Sequence, residues 1–244
     1  MCYRYSVPGP DVVKKTFQVK LGNSFEKRYH VGAFENVKLP VITNENPKQV
    51  DLFNWGLIPF WVKDEKTAND IKERTINARS ETIFEKPAFR GSAGKKHCLV
   101  IADGFFEWRY YQGKNYPYYI KLKNREVFSI AGLWDCWDNK TTGEQVYSYT
   151  IITTEANPLM AKIHNKKKRM PAILNKEDEQ KWISASISKE DTLNLLKPFD
   201  EKEMEAYTIS KLITARGEDP NVPAVIKSFQ YNNLEPLDSQ TSLF

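Results

Sequence analysis

The sequence predicts a single-domain α+β protein built on a mostly antiparallel, barrel-like mixed sheet with peripheral helices. Runs of β-branched and aromatic residues fill the central third, and short segments with turn residues separate these runs. Helical periodicity is confined to brief stretches on either side. With 244 residues, 41% of them hydrophobic, the chain is long enough for a packed core. No linker divides it, so we expect one domain over 2–230 and a loose, polar tail over 231–244.

The individual elements follow from local patterns. The segment 6–10 is typical of a turn, and Asp11 is expected to cap a short helix whose apolar positions are Val12, Val13 and Phe17. The next stretches are predicted to be extended at 39–43 and 50–57 and partly helical at 67–84. Central strands are predicted at 97–102, 105–111, 118–122, 127–134 and 146–153. The last elements are a helix from Asn157 to near His164, helices at 176–184 and 189–196, and a strand at 205–210.

Composition excludes several classes of protein. No long uncharged apolar run and no hydrophobic leader are present, so we expect a cytoplasmic protein without a membrane span. Three cysteines leave one unpaired in any disulfide scheme, which also favours a reducing compartment: Cys2, Cys98 and Cys136. Metal-ligand spacings and phosphate-binding glycine loops are missing, so no metal and no cofactor is expected. A net charge of +5 is compatible with a polyanionic partner.

Cys2 is the most informative single residue. Its small side chain allows an aminopeptidase to remove Met1, which would leave an α-amine and a thiol on adjacent carbons. Ordinary pKa values of about 7.7–8.0 for the amine and about 8.5 for the thiol make both partly nucleophilic near neutrality. Such a 1,2-aminothiol condenses with an aldehyde to an imine, and thiol attack then closes a thiazolidine ring. The alternative is an ordinary cysteine at a frayed terminus.

Six sequence blocks carry a family resemblance. They are MCYR at 1–4, WGLIPFW at 55–61, NARSET at 77–82, HCLVIADGFFEW at 97–108, AGLW at 131–134, and a histidine at 164 followed by RMP at 169–171. In this order they resemble the SRAP family, the SOS-response-associated peptidases understood as abasic-site crosslinking proteins. The resemblance covers roughly residues 2–174. Two features depart from it: Tyr3 stands where the commonest opening has glycine, and four residues separate His164 from Arg169 where many members have one.

The resemblance implies a catalytic set of Cys2, Asn77, Glu107 and His164. Glu107 lies among aromatic residues on a predicted strand, so its pKa is expected to be raised, as an acid–base residue requires. His164 is implied to move protons, and a histidine ordinarily titrates near pH 7. The amide of Asn77 can hold the α-amine or a sugar hydroxyl. The alternatives are a structural ion pair for Glu107 and a structural role for His164.

Basic and aromatic residues within the same blocks indicate DNA binding. Arg4, Arg79 and Arg169 carry guanidinium groups that match a phosphate with two parallel hydrogen bonds. Trp61 and Trp108 are candidate stacking surfaces, because single-stranded DNA sites combine basic grooves with aromatic rings. The alternatives are a solvated basic run at 166–169 and tryptophans buried in the core.

The resulting hypothesis is an abasic-site sensor that binds single-stranded DNA. After removal of Met1, Cys2 would form a thiazolidine crosslink that shields the lesion, with lyase-type chemistry and peptidase self-processing as associated activities. The protein is expected to act as a monomer in the cytoplasm, on the nucleoid when DNA is damaged. Two alternatives remain: an N-terminal-nucleophile cysteine amidohydrolase, and a non-catalytic single-stranded DNA-binding module.

Overall fold

A computed structural model describes residues 2–237 of the chain. The strands are β1 Arg4–Val7, β2 Lys20–Leu21, β3 Arg28–Gly32, β4 Lys38–Thr43, β5 Gln49–Trp55, β6 Asn77–Arg79, β7 His97–Ala102, β8 Gly104–Tyr111, β9 Lys114–Leu122, β10 Phe128–Asp138, β11 Gln145–Glu155, β12 Arg169–Pro171 and β13 Met204–Thr208. The helices are α1 Pro10–Phe17, α2 Glu65–Arg74, α3 Pro158–Ile163, α4 Glu179–Trp182 and α5 Lys189–Leu195.

Five strands close into a barrel. Antiparallel pairing runs from β5 through β4, β7 and β10 to β11, and β11 then pairs with β5 in parallel, where Tyr149 lies opposite Trp55. The short strands β2, β6 and β12 attach to this ring. The single parallel contact that closes the ring makes the sheet mixed. The predicted α+β class with a mostly antiparallel, barrel-like sheet is therefore confirmed.

A second, fully antiparallel sheet packs against the barrel in the order β13-β9-β8-β1-β3. Tyr5 of β1 joins the two layers, because its hydroxyl lies 2.7 Å from that of Tyr149 and its ring packs edge-on against Trp55 at 5.1 Å. All three side chains are buried in the same core. The amino-terminal strand is therefore an internal strand that packs against the barrel.

Glycine is required at Gly132, where β10 passes between β7 and β11. A Cβ atom there would lie 2.8 Å from Cys98 Sγ and 2.9 Å from the carbonyl oxygen of Thr150. Contacts this short would force the strands apart, so the close approach of three barrel strands explains the glycine in the AGLW block.

The structure corrects several local predictions. Helix α1 begins at Pro10 with Gly9 as its N-cap residue, so Asp11 lies inside the first turn and does not cap the helix. The predicted turn at 6–10 starts too early, since β1 continues to Val7. In the segment 67–84, the helix ends at Arg74, and the NAR block forms strand β6 instead. Strands β2 and β3 were not predicted.

The predicted tail is only partly covered by the structure. Residues 231–237 lie against the second sheet, where Tyr231 donates a hydrogen bond to the carbonyl of Ile209, and Leu234 and Leu237 pack on the core. This part is therefore packed where a loose tail was expected, while residues 238–244 lie outside the described region. The boundary at residue 230 stays a prediction.

Among residues 2–237, no helix is long and apolar enough to cross a membrane. Within the same residues, no cluster of His, Cys, Asp and Glu side chains has the arrangement of a metal site.

Candidate active site

A large cavity opens where β1 and β8 separate. These strands pair only at Tyr5 with Phe105 and at Ser6 with Gly104. Beyond that point the strands no longer pair, and a cavity of about 700 Å³ lies between them. Side chains from both faces of β8 reach it, and lysines from three separate segments complete its wall. The lining side chains with charge or hydrogen-bonding capacity include Arg4, Glu107, His164, Lys114, Lys166, Lys167 and Lys211.

Cys2 is buried at the start of the chain, directly before two residues of the cavity wall. Only 1% of its surface is exposed, and its carbonyl oxygen accepts a hydrogen bond of 2.9 Å from Nδ2 of Asn77. Asn77 is held in turn by the parallel pairing of β6 with β11. Burial raises the pKa of the Cys2 thiol to about 12, and the negative charge of Glu107 adds to this effect. With Met1 in place, the thiol therefore keeps its proton at neutral pH, and the partly ionised thiol expected of the processed chain stays a prediction.

Glu107 has the raised pKa that its aromatic neighbourhood predicts. It is 5% exposed on β8, and burial raises its pKa to about 7, although the positive charge of Lys167 acts in the opposite direction. Phe106 faces the other side of the strand, where it packs with Tyr119 and Ile209. The Glu107 carboxyl is thus present in both protonation states near neutrality, as general acid–base chemistry requires.

His164 lies beside Glu107 at the end of α3. Its Nδ1 is 2.8 Å from the carbonyl oxygen of Arg169 and 3.6 Å from Oε1 of Glu107. A carbonyl can only accept, so Nδ1 carries the hydrogen and Nε2 the lone pair of the neutral ring. Burial lowers the pKa of His164 to about 4, and the charge of Lys167 lowers it further. The expected titration near pH 7 is wrong: His164 is neutral there and can accept a proton.

The four residues between His164 and Arg169 form a fixed loop at the cavity mouth. Asn165 makes two hydrogen bonds with the backbone of Tyr110, accepting from its N–H at 3.1 Å and donating to its carbonyl at 2.8 Å. The ammonium group of Lys166 lies 3.5 Å from the centre of the Tyr110 ring. The loop therefore holds Lys166 and Lys167 on the cavity wall, where a solvated run was the alternative.

The three predicted DNA-binding arginines have different environments. Arg4 lines the cavity, with its guanidinium 5.2 Å from the ring centre of Trp108. Arg79 is exposed on β6 and shares a strand face with Asn77. Arg169 is engaged within the protein, where its guanidinium binds both carboxylate oxygens of Glu81 and the carbonyl of Thr153.

The two predicted stacking residues are also separated. Trp108 lines the cavity under Arg4. Trp61 is 45% exposed on the segment after β5 and does not line the cavity. Trp55 of the same sequence block belongs to the core, and its indole donates to the carbonyl of Ile76.

Sequence reasoning missed Lys114 and Lys211 as site residues. Lys114 begins β9 and Lys211 begins a short 3-10 helix after β13, and only the folded topology brings them to one cavity. Neither lies in one of the recognised sequence blocks, so no local signal marks them.

Comparison with known proteins shows the family to which this chain belongs. A family model described as SOS response associated peptidase (SRAP) matches residues 1–216. The chain belongs to the SRAP family. Its resemblance to that family in six sequence blocks is thereby confirmed over most of the chain.

Curated relatives of this SRAP protein carry one functional name. It is 40% identical over 206 residues to the abasic site processing protein YoqW of Bacillus subtilis (strain 168), covering 84% of this chain and 87% of the relative. It is 33% identical over 193 residues to the abasic site processing protein HMCES of Xenopus tropicalis, covering 70% of this chain and 56% of that longer protein.

Solved structures share the fold. A crystal structure of a protein from Bacteroides thetaiotaomicron superposes with a TM-score of 0.86 and 40% sequence identity, covering 94% of this chain and all of the other. A second, from Bordetella bronchiseptica, has a TM-score of 0.75 and 28% identity, covering 86% of this chain and all of the other.

Proposed function

We propose that this SRAP protein, once Met1 is removed, binds single-stranded DNA at an abasic site and forms a thiazolidine crosslink through Cys2 that shields the lesion. One observation carries the proposal: Cys2, Asn77, Glu107 and His164 converge beside a cavity whose wall is rich in lysine. The names of the curated relatives support abasic-site processing as the broader activity.

The first step of the proposed reaction is imine formation. The ring-opened sugar presents an aldehyde at C1′, and the α-amine of Cys2 adds to this carbon to give a carbinolamine. The Glu107 carboxyl protonates the hydroxyl, which leaves as water, and the resulting carboxylate then takes the nitrogen proton, which gives the neutral imine and restores the Glu107 carboxyl. With its pKa raised to about 7, Glu107 can supply this proton near neutrality and take one back later.

Ring closure completes the crosslink. The Cys2 sulfur attacks C1′, the thiol proton is transferred by way of Glu107 to the former imine nitrogen, and a secondary amine results. Overall, an aldehyde and an aminothiol give a thiazolidine and one water. The closed ring has no iminium, so it does not promote β-elimination, and the strand stays intact.

His164 and Asn77 have supporting roles in this proposal. His164 would relay the hydroxyl proton that the sugar loses on ring opening, with Nδ1–H anchored on the Arg169 carbonyl and Nε2 as the acceptor. Because its lowered pKa makes it a weak base, it would pass that proton on to the sugar ring oxygen and not retain it. Asn77 fixes the Cys2 carbonyl, which holds the attacking residue in place.

The cavity wall suits a DNA backbone. Four lysines and Arg4 line it, and Arg79 lies exposed beside Asn77, so phosphates on both sides of the lesion can be neutralised. Trp108 and exposed Trp61 offer ring surfaces for unpaired bases.

A denaturing gel tests the proposal. Processed protein is incubated with three single-stranded oligonucleotides: one with an abasic site, one intact, and one with a tetrahydrofuran abasic analogue that lacks the aldehyde. We expect a denaturation-resistant band with the first alone, with the mass of protein plus DNA minus one water. Borohydride added afterwards should leave that mass unchanged, because a thiazolidine has no C=N bond. A mass gain of two hydrogens would reveal an open imine, and no band at all would refute the crosslinking function.

A further inference from the structure

A second cavity lies on the other side of Tyr3 and Arg4. It has a volume of about 370 Å³ and shares these two residues with the wall of the 700 Å³ cavity that Glu107 and His164 line, which we call the reaction cavity. The remaining side chains that form it come from the end of β3 and the turn that follows: His30, Phe34 and Glu35. Its volume is at the lower end of the roughly 300–1,000 Å³ typical of small-molecule sites. The two cavities therefore meet at the residues that follow Cys2.

One wall of this cavity is polar and incompletely bonded. His30 is 4% exposed, and neither of its ring nitrogens has a hydrogen-bond partner within residues 2–237. Its Nδ1 lies 3.6 Å from Oε1 of Glu35, and that oxygen accepts a bond of 2.7 Å from the N–H of Gly32. The Nε of Arg4 is also buried without a partner among the described residues. Buried polar groups are rarely left unpaired, so this wall has the properties of a ligand site.

The charge state of the wall follows from its surroundings. Burial lowers the pKa of His30 to about 4, and the positive charge of Arg4 lowers it further. The neutral imidazole offers one donor and one acceptor near neutral pH. The Glu35 carboxylate adds acceptors, and its charge is opposed by those of Arg4 and of Arg28, whose guanidinium lies 3.9 Å away, so that neither sign of charge dominates the wall. The site therefore suits an uncharged ligand that donates hydrogen bonds.

The other wall is aromatic and open. Phe34 is 67% exposed and stacks on Tyr3, with ring centres 6.1 Å apart and an angle of 19° between the planes. An exposed ring that is already stacked on a second ring is a flat surface to which a third ring can be added. Unpaired nucleobases bind to such surfaces, because every base has a π-face.

We propose that this second cavity, formed by Tyr3, Arg4, His30, Phe34 and Glu35, receives the nucleobase next to the abasic sugar and prefers bases with an exocyclic amine over thymine. Stacking on Phe34 would hold the base, and the acceptors of Glu35 and His30 would bind its amine. Adenine, cytosine and guanine each carry such an amine, whereas the donor of an unpaired thymine, N3–H, lies between the carbonyl oxygens O2 and O4, which would face the carboxylate. The proposal rests on the proposed function, since it takes the adjoining cavity as the site of the abasic sugar.

The test varies the bases on either side of the lesion. Single-stranded oligonucleotides carry one abasic site, and the 5′ and the 3′ neighbour are changed separately to A, C, G or T. Initial crosslinking rates are measured at subsaturating protein, and affinities with the tetrahydrofuran analogue. At one of the two positions, we expect oligonucleotides with thymine to crosslink about five- to tenfold more slowly than those with the other bases. Their affinity, measured with the tetrahydrofuran analogue, should be lower by the same factor. The other position should show no preference.

Three variants assign the preference to this cavity. Phe34→Ala should weaken binding of all four neighbours by about tenfold, the typical effect of one stacking contact. Glu35→Gln should remove the discrimination against thymine, because its amide can donate to O4. Phe229→Ala is the matched control: Phe229 is 46% exposed and bonds through its backbone to β13, at the opposite end of the second sheet from β3. It should behave as the wild type.

The outcomes separate the two proposals. No crosslink with any oligonucleotide would refute the proposed function, while base preference in the affinity measurement would still support the cavity. Crosslinks that form equally fast with all four bases at both positions would refute the base-binding cavity alone. A preference that persists unchanged in Glu35→Gln, or wild-type affinity for all four neighbours in Phe34→Ala, would refute it as well.

Discussion

Two regions of the molecule each contain a buried histidine and a buried glutamate, and their bonding differs. In the barrel, both ring nitrogens of His97 lie within hydrogen-bonding distance of carbonyl oxygens, those of Trp182 at 2.9 Å and Ala93 at 2.7 Å, and the single N–H of the neutral ring donates to one of them. The ring also stacks on Trp182. The buried carboxylate of Glu179 forms ion pairs with Arg125 at 2.6 Å and with Lys176 at 2.7 Å. Neither residue lines the reaction cavity.

In the reaction cavity, Glu107 and His164 are buried to a similar extent, but their surroundings shift their pKa values. Glu107 has a pKa raised to about 7, because desolvation outweighs the nearby positive charge, and His164 has a pKa lowered to about 4. Both side chains line a cavity that a substrate can enter. Burial therefore does not distinguish a structural polar residue from a reactive one. What differs is access, since Glu107 and His164 line a cavity and His97 and Glu179 do not.

The largest difference in crosslinking is expected between variants of the two buried cysteines, Cys2 and Cys98. Cys2→Ala should abolish the borohydride-resistant crosslink and leave non-covalent binding to single-stranded DNA nearly unchanged, because only the thiol can close the ring. Cys98→Ala is the matched control, since Cys98 is equally buried in the same core but lies on barrel strand β7, away from the amino terminus. It should lower stability and keep the wild-type crosslinking rate per folded molecule. A wild-type yield from Cys2→Ala would rule out the thiazolidine.

The two buried glutamates should differ in what they control. Glu107→Gln should slow crosslinking by about 10²–10⁴-fold without a large change in DNA affinity, because the amide is nearly isosteric but cannot titrate. Its pH–rate profile should lose the limb near pH 7 that reports the acid and keep the limb that reports the amine.

Glu179→Gln should have the reverse effect. It weakens a buried ion pair and should lower the free energy of unfolding by up to about 3–5 kcal/mol, with the crosslinking rate unchanged. Rates and chemical unfolding are measured on the same preparations. Equal rates in the two variants would mean that Glu107 is a structural residue as well.

Stability against pH sharpens the comparison further. Because the folded state raises the pKa of Glu107 from 4.5 to about 7, it holds the proton more tightly than the unfolded chain does. This contribution is complete below about pH 4.5 and is lost as the pH rises through about 7. Relative to wild type, Glu107→Gln should therefore gain up to about 3 kcal/mol between these limits. Urea unfolding of both proteins from pH 4.5 to 8 measures the difference, and a difference that does not vary with pH would contradict the raised pKa.

The smallest effect is expected from the arginines. Arg79→Ala should weaken binding to abasic and intact single strands alike. The slope of the logarithm of the binding constant against the logarithm of the salt concentration should become flatter by about 0.7, the value for one lost phosphate contact. Arg169→Ala is the comparison, because Arg169 is bound to Glu81 and Thr153. An unchanged slope with a lower melting temperature would assign Arg169 a structural role, and a flatter slope would assign it the predicted phosphate contact.

Local patterns predicted the central strands well, because alternating apolar and aromatic residues record which face of a strand is buried. They could not predict that β11 closes the barrel against β5, since that pairing joins residues about 95 positions apart and rests on few contacts. The helix cap at Asp11 was wrong because Pro10 occupies the first helical position and moves the cap back to Gly9. Asn77 was placed in a partly helical segment, where pairing with β11 imposes a strand.

Within the site, the sequence identified residues better than it identified their charge states. The aromatic neighbours of Glu107 indicated a raised pKa, because its burial could be read from the strand itself. The pKa of His164 depends on burial by other segments and on Lys167, which only the folded loop brings close. His30 and Phe34 lie in no recognised block, so nothing in the sequence separates them from ordinary strand and turn residues.

The position of β1 inside its sheet bears on the order of events during synthesis. Its partner β8 begins about 100 residues after β1, so at about 5–20 residues per second roughly 5–20 s pass before both partners have been made. During that interval the nascent amino terminus has no strand to pair with on one side, and an aminopeptidase at the ribosome can reach Met1. Once β8 docks, Cys2 is buried. The proposed chemistry would thus depend on the removal of Met1, which is possible while the chain is being synthesised and becomes difficult once β8 has docked.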